Sequence, residues 1–279
     1  MRKEVVFAII AGILIGLSMA FGTWKAIKLF KPKPTPPVKK ELPNLKTTNN
    51  LIIDTISDFD VITENLNISG TSNPNSKILI STSEKDYLTS TDLNGTFKIE
   101  VSLPKNLSKI YVQDITSNEE KEFYLIYAPD IEKNSESDVG TVTDITAKTI
   151  QVKILNGGIA QVSIPDDAKI VNNLKKGIEI KDTDIAIGDY IIAIGDLNQN
   201  KVLQAKQIFV DAPIKEIKID TKKIKIEKKT KTSINDINLP KTWDGPNLKE
   251  LELGSDIVIV GIVNSDKSYT LRSIFSVVE

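Results

Sequence analysis

The sequence contains no histidine and no cysteine among its 279 residues. Without histidine the chain has no Ser-His-Asp triad, no Cys-His pair and no imidazole ligand for a metal ion. Without cysteine it has no disulfide, no thiolate zinc site and no sulfur redox chemistry. These absences remove the commonest catalytic and metal-binding groups, and we predict that the protein is not an enzyme and uses no cofactor.

An excess of charge of either sign is also missing. Lys and Arg number 36 and Asp and Glu number 37, which leaves a net charge of -1. A dedicated nucleic-acid-binding protein usually carries a basic excess. The sequence also lacks a glycine-rich loop of the kind that cradles phosphates. The balance therefore argues against nucleic acid as a partner.

The one long run without charged side chains is VVFAIIAGILIGLSMAFGTW, from Val5 to Trp24. Twenty helical residues extend about 30 Å, which matches the hydrocarbon core of a bilayer. We predict that residues 1–30 form an uncleaved transmembrane anchor. The alternative is a cleaved signal peptide, with Ser18-Met19-Ala20 as the cleavage site.

The lysines that follow this run would, by the positive-inside rule, leave the rest of the chain in the cytoplasm. Long folded segments cross membranes largely regardless of flanking charge. We therefore predict a single-pass protein of the cell membrane, with the lipid bilayer as a partner and the C-terminal domains extracytoplasmic. Residues 31–50 begin KPKPTPPVKKELP, which predicts an extended linker.

Small residues recur at every fourth position of the predicted membrane helix, at Ala8, Gly12, Gly16 and Ala20. That spacing places them on one stripe of the helix, where two backbones can approach closely. The stripe predicts a helix–helix interface and self-association. Alternatively, it reflects the high glycine and alanine content of membrane helices in general.

Residues 51–129 show the pattern of short β-strands. From Thr96 to Leu103 apolar and polar residues alternate, as in a strand with one buried face. Several similar short runs are separated by turn residues, which predicts a β-sandwich.

The stretches ITENLNISGTSNPNSKILISTS and STDLNGTFKIEVSLP within this region resemble a bacterial Ig-like domain of surface proteins. The residues that carry the resemblance are Ile68, Gly70, Pro74, Ile78, Asp92, Gly95 and Phe97. The resemblance implies a spacer or adhesion module on an exported protein. Asp92 and Asn94 are either part of a Ca²⁺ site or, in the simpler interpretation, a turn.

The C-terminal half contains a repeat: GDYIIAIGDLNQNKVLQAKQIFV begins at Gly188, and GSDIVIVGIVNSDKSYTLRSIFSV begins at Gly254. Lys206 corresponds to Arg272, and Phe209 corresponds to Phe275. We predict two copies of one small β-domain, at residues 138–211 and 212–279. The opening strands are predicted to correspond as well, with Val142 matching Ile214 and Val152 matching Ile226.

Five or six short strands in each copy predict a small closed barrel of the OB type, in which the two phenylalanines close the core. The first copy resembles a small uncharacterised domain of bacterial envelope proteins, through Gly140, Val142, Ile145, Ile150, Val152, Ile187, Gly188, Asp189, Ile191 and Gly195. No activity is attached to that family.

Lysines are concentrated at the start of the second copy, where they alternate with isoleucines and are predicted to line the outer face of a hairpin. Lys222, Lys223, Lys225 and Lys229 are the candidate residues for binding an anionic polymer. Alternatively, they form a solvated face that blunts the edge of a sheet.

The predicted fold class is therefore mainly β: an N-terminal transmembrane helix, an Ig-like β-sandwich and two tandem OB-like β-barrels. The predicted function is a membrane-anchored, extracytoplasmic structural or adhesive stalk, or an envelope scaffold. One alternative is binding of an anionic glycan or cell-wall polymer by the second barrel. Another is an accessory role in a membrane complex, with a protein partner in the cell envelope.

Overall fold

The alternating pattern around Phe97 forms the strand that it predicts, Thr96–Val101, with Phe97 and Val101 buried. The computed structural model describes residues 50–277, apart from residues 105, 156, 215–216 and 265–267. Over these residues the protein is mainly β, as predicted.

Eight strands form a sandwich of two sheets: β1 (Ile52–Ile53), β2 (Val61–Ile62), β3 (Leu66–Thr71), β4 (Lys77–Ser81), β5 (Asp86–Ser90), β6 (Thr96–Val101), β7 (Asn106–Asp114) and β8 (Glu119–Tyr127). One sheet has the order β1-β3-β6 and the other the order β2-β8-β7-β4-β5. Ile68 and Phe97 of the first sheet pack against Ile80 and Val112 of the second. Both copies of the repeat pack against the second, five-stranded sheet.

The first repeat copy contains β9 (Glu136–Thr146), β10 (Thr149–Ile154), β11 (Ile159–Ser163), β12 (Lys169–Asn172), β13 (Ile178–Glu179), β14 (Tyr190–Leu197) and β15 (Leu203–Asp211). Their order is β11-β10-β9-β14-β15-β12-β13. A parallel pairing of β11 with β15 closes the first five of these strands into a barrel. β10 and β11 form a hairpin, and Gly157 and Gly158 in its loop have positive φ.

The second copy is a reduced version of the first. It contains β16 (Lys218–Lys225), β17 (Ser233–Ile234), β18 (Ile237–Asn238), β19 (Asp256–Val263) and β20 (Tyr269–Ser276). The sheet order is β16-β19-β20, and in the described residues β17 pairs with β18 and, through Ile234, forms one isolated bridge to Lys229. Where β10 and β11 have six and five residues, β17 and β18 have two each. The predicted closed barrel is therefore seen in the first copy, whereas the second copy is open.

Backbone hydrogen bonds show which residues of the two copies correspond. Val142 N donates to the Asp189 carbonyl and Gly188 N donates to the Val142 carbonyl. The same pair of bonds joins Ile226 to Ser255 and Gly254 in the second copy. Val142 thus matches Ile226, and the predicted match with Ile214 is wrong. The segment predicted as a lysine-lined hairpin is instead one uninterrupted strand, β16.

The paired glycines have two different roles. Gly188 and Gly254 have φ of 97° and 88°, a turn conformation that favours glycine. Gly195 and Gly261 lie at β-bulges, where β14 meets β15 and β19 meets β20. A Cβ on Gly195 would lie 1.9 Å from the carbonyl oxygen of Gln204. The first glycine of each pair therefore lies in a turn, and the second lies at a bulge within a strand.

The predicted fold class needs one correction. Between residues 50 and 277, the helices described are two 3-10 turns of three residues each, and no helix there is long and apolar enough to cross a membrane. The segment from Val5 to Trp24 itself lies outside the described residues. The transmembrane component of the fold class and the predicted cell-membrane localisation are therefore withdrawn.

Each copy has its own hydrophobic core. Ile150, Ile191 and Leu203 belong to the core of the first copy, and Ile257 and Ile274 to that of the second. Two further apolar clusters join these copies to the sandwich. The described residues between 50 and 277 belong to one compact unit.

Candidate functional site

The first copy docks on the sandwich through the outer face of β14. Side chains alternate along this strand, so Ile191 and Ala193 point into the barrel core while Ile192 and Ile194 point away from it. The outward pair packs in one apolar cluster with Ile126 of β8. This docking explains why the sequence YIIAIG is apolar on both faces.

Aromatic and polar groups complete this first interface. Phe209 and Tyr190 belong to the same cluster, and burial raises the pKa of Tyr190 to about 12. The Ser137 hydroxyl donates to the Phe59 carbonyl at 2.8 Å, which ties the start of β9 to the sandwich. The segment from Asp130 to Ser137 is thus packed against its neighbours.

The second copy docks on the same sheet by the equivalent face of the equivalent strand. Val258 and Val260 of β19 point away from their own core and pack with Leu79 of β4. Leu88 and Phe275 are partly buried against this cluster. The repeat therefore presents the same surface to the sandwich twice, once at β8 and once at β4.

The two phenylalanines do not have the role predicted from the sequence. Phe209 and Phe275 were expected to close the cores of their own barrels, but both belong to the interfaces with the sandwich. The register gives the reason: Phe209 lies opposite Ile192, and Phe275 lies opposite Val258, both on the outward face. Ile208 and Ile274, one residue earlier, fill the cores instead.

A buried ion pair fixes the second copy to the sandwich. Asp86, at the start of β5, has a fully buried side chain and accepts two hydrogen bonds from the Arg272 guanidinium, one of them 2.8 Å long from Nε. The Ser273 hydroxyl donates to the same carboxylate at 2.5 Å. Arg272 also donates to the Thr82 carbonyl at 2.9 Å. Both charges are therefore compensated at the interface.

Both bulges turn a basic side chain out of its barrel. Lys206 and Arg272 are the extra residues where β15 and β20 slip against their partner strands. A bulge residue is left outside the regular pairing and can be aimed away from the sheet. Lys206 reaches Glu132, in the connection to the sandwich, at 2.6 Å. The residue in this position of the repeat thus anchors each copy to a neighbouring segment.

A cavity of about 240 Å³ lies where the sandwich and both copies meet. Its apolar walls are Leu107, Ile192, Ile214, Ile217 and Ile219, and its polar lining includes Thr82, Ser83, Lys109, Tyr111 and Asp211. The Tyr111 hydroxyl donates to the Ile217 carbonyl at 2.8 Å, which fastens the strand β16 to β7. Thr82 and Asp211 are likewise hydrogen-bonded within the protein, the first to the Lys85 carbonyl and the second to the Asn173 amide.

Lys109 is the principal charge beside this cavity. Its Nζ lies 2.7 Å from a carboxylate oxygen of Glu122 and 4.9 Å from the centre of the Tyr111 ring. Burial disfavours the ammonium ion, but the hydrogen bonds to Glu122 and Tyr111 outweigh that effect and raise the pKa of Lys109. Burial likewise raises the pKa of Tyr111. The lysine is therefore a charged structural group.

The four lysines predicted to bind an anionic polymer are not brought together on one surface. Neighbouring residues of a strand point to opposite faces, so Lys222 and Lys223 diverge. Lys222 lies 4.7 Å from the Tyr269 ring, whereas Lys223 and Lys225 are on the face that carries Thr221. Lys229 donates to the carbonyls of Leu248 and Leu251, so it holds a loop of its own copy.

Asp92 stabilises a turn, which is the simpler of the two interpretations given for it above. Its Oδ1 accepts hydrogen bonds from the backbone N–H of Asn94 at 2.8 Å and of Thr96 at 2.9 Å, and Gly95 has a φ of 80°. The Thr96 bonds are the largest cause that lowers the pKa of Asp92. Among residues 50–277, no group of three or more acidic side chains is placed to hold a metal ion.

The predicted helix–helix stripe of Ala8, Gly12, Gly16 and Ala20 lies outside the described residues. No protein family matches this chain, and no curated protein is similar to it. The resemblances to Ig-like and OB-like domains therefore stay predictions, and the function is argued from the geometry alone.

Sequence reasoning missed the interface residues. Asp86 follows an ordinary polar stretch, and nothing in the sequence pairs it with Arg272. The available signal was the repeat itself, because YIIAIG and DIVIVG are both apolar on two faces. A strand of that kind needs a cover on each side, and one small barrel supplies only one.

Proposed function

We propose that this chain is a non-catalytic scaffold or adhesive module whose work is to hold two β-domains in a fixed arrangement. The observation that carries the proposal is the double docking on one sheet of the sandwich. Two apolar clusters and the Asp86–Arg272 pair join the three parts. A linear stalk of independent domains would not need these contacts.

The fixed arrangement is tested by scanning calorimetry of the full-length chain. A scaffold whose parts are docked should unfold in one cooperative transition, because each domain loses its interface when a neighbour unfolds. Asp86→Ala should separate a transition for the second copy from the rest. Independent transitions in the unmodified chain would contradict the proposal.

A second candidate function is binding of an anionic polymer by β16. The observation that favours it is the exposure of Lys222, Lys223 and Lys225 on one edge strand. The attraction would weaken with added salt, because it acts between solvated charges.

An array of anionic glycans, probed with the wild-type chain and with a variant in which these three lysines are replaced by glutamine, separates the two functions. The scaffold proposal predicts the same signal from both proteins. Salt-sensitive binding that is lost in the glutamine variant would favour the polymer.

A further inference from the structure

The strand β16 lies at the edge of its sheet, and its outer edge is open. The inner edge pairs with β19 from Lys218 to Lys225. Ile226 directs both its N–H and its C=O toward Ser255 and Gly254. Because backbone groups alternate along a strand, the N–H and C=O groups of Ile219, Thr221 and Lys223 point the other way.

Little of the described chain reaches this outer edge. The Tyr111 hydroxyl donates to the Ile217 carbonyl at one end, and the Asn235 amide donates to the Lys225 carbonyl at the other. Between them, Ile219, Thr221 and Lys223 pair with no other strand in the described residues. The Thr221 hydroxyl is also buried without a hydrogen-bond partner among them.

The first copy shows that this edge can accept a strand. Lys223 corresponds to Val139, because Val139 lies opposite Ile192 and Lys223 lies opposite the matching Val258. The Val139 carbonyl accepts a hydrogen bond from Leu155 N, directly after β10. In the second copy the equivalent hairpin, β17–β18, has two residues in each strand and does not extend along β16.

From these observations we infer that β16 is a β-augmentation site for an extended acidic segment of a partner protein. Lys223 and Lys225 lie on one face of the free part of the edge, and acidic side chains opposite them would form cross-strand pairs. Lys222 lies on the other face, 3.5 Å from a carboxylate oxygen of Asp220. The acidic residues of the partner must lie beside the C-terminal end of β16. At the other end of the strand, Glu120 and Glu122 line the groove beside Ile217 and would repel them.

A second copy of this chain does not fit the same edge. β16 contains four lysines and one acidic residue, Asp220, so pairing of two β16 strands would bring two positively charged edges together, which is destabilising. Lysines on an edge strand prevent such self-association, and they exclude basic partners as well. An acidic strand is the partner for which the same lysines become favourable. This inference goes beyond the proposed scaffold function, because it names the kind of partner that the scaffold would bind.

The test uses the full-length chain and a capped six-residue peptide of alternating glutamate and valine. Two versions of the peptide carry N-methyl groups, one on the three glutamates and the other on the three valines. In an added strand one of these sets of amides faces β16 and the other faces solvent. Methylation of the inward set should weaken binding by at least about tenfold, because ladder hydrogen bonds are lost.

Methylation of the amides that face solvent should leave the affinity nearly unchanged. The unmethylated peptide should protect the amides of Ile219, Thr221 and Lys223 from hydrogen exchange. Charge reversal of Lys223 and Lys225, which share one face of β16, to glutamate should also abolish binding. Equal affinity for both methylated peptides would show attraction by charge alone, as for an anionic polymer, and would overturn the inference. Absence of binding by the unmethylated peptide would overturn it as well. Neither result bears on calorimetric cooperativity, so the scaffold proposal is tested separately.

Discussion

Asp86 and Arg272 are separated by 186 positions in the chain, yet the buried carboxylate of one receives two hydrogen bonds from the guanidinium of the other. Arg272 reaches Asp86 because it is the bulged residue of β20. Ser273 adds a third hydrogen bond to the carboxylate. The contact links the last strand of the chain to the edge of the sandwich, and it makes the attachment of the second copy specific.

Removal of the Asp86 carboxylate should be costly. We expect Asp86→Ala to lower the free energy of unfolding by about 3 kcal/mol, because it leaves the Arg272 charge in a mostly buried site without its partner. Glu132→Ala, which breaks the exposed pair with Lys206, should cost less than about 1 kcal/mol. Urea denaturation measures both variants. Equal, small effects would show that the buried pair does not hold the interface.

Adjacent residues of β20 should affect different parts of the molecule. Ile274→Ala removes a fully buried side chain from the core of the second copy and should cost about 2–5 kcal/mol. Phe275→Ala should loosen the docking and increase hydrogen exchange in β4 and β5 of the sandwich. Faster exchange confined to β19 and β20 in the Phe275 variant would place this ring in the barrel core after all.

Gly188, which precedes β14, and Gly195, which lies at a bulge within it, should differ in their tolerance of alanine. Gly188→Ala meets no atom within 4 Å, so its cost is the strain of a positive φ, about 1–3 kcal/mol. Gly195→Ala should cost more, because its Cβ would collide with the carbonyl of Gln204. The free energies of unfolding of the two variants give the comparison. The reverse order would mean that the bulge relaxes easily.

Stability should fall at alkaline pH. In the unfolded chain tyrosine ionises near pH 10, whereas burial raises the pKa of Tyr190 to about 12 in the folded protein. Between these values the unfolded state has lost a proton that the folded state still holds, so rising pH favours unfolding. Tyr190→Phe should reduce this loss of stability between pH 10 and 12. An identical pH dependence in the variant and the wild type would show that Tyr190 is not buried at the interface.

Alternation along Thr96–Val101, the glycine-rich hairpin and the repeat were predictable from the sequence, because each depends on residues close together in the chain. The strand β16 was not. Asp220, Thr221 and the two lysines after them have the composition of a turn, and only pairing with β19 keeps them extended. The second copy was predicted to form a closed barrel because its glycines and its final strand match those of the first copy. The two copies differ in the hairpin β17–β18, whose strands have only two residues each.

The residues that cover the outward face of a strand could not be predicted either. Apolar residues on both faces of β14 and β19 indicate that each strand is covered twice, but the covering residues lie in the sandwich, far away in sequence. Phe209 and Phe275 illustrate the limit, because the change of one position between an inward isoleucine and an outward phenylalanine depends on the bulge.

The central claim is that both copies are held rigidly on one sheet, and distances between spin labels test it most directly. The chain has no cysteine, so labels can be attached at single introduced cysteines without background. Lys98→Cys in the sandwich can be combined with Lys153→Cys in the first copy or with Lys225→Cys in the second, all at exposed positions. The account predicts one narrow distance distribution for each pair, and broadening of the second when Asp86→Ala is added. Broad distributions in the otherwise unmodified protein would contradict it.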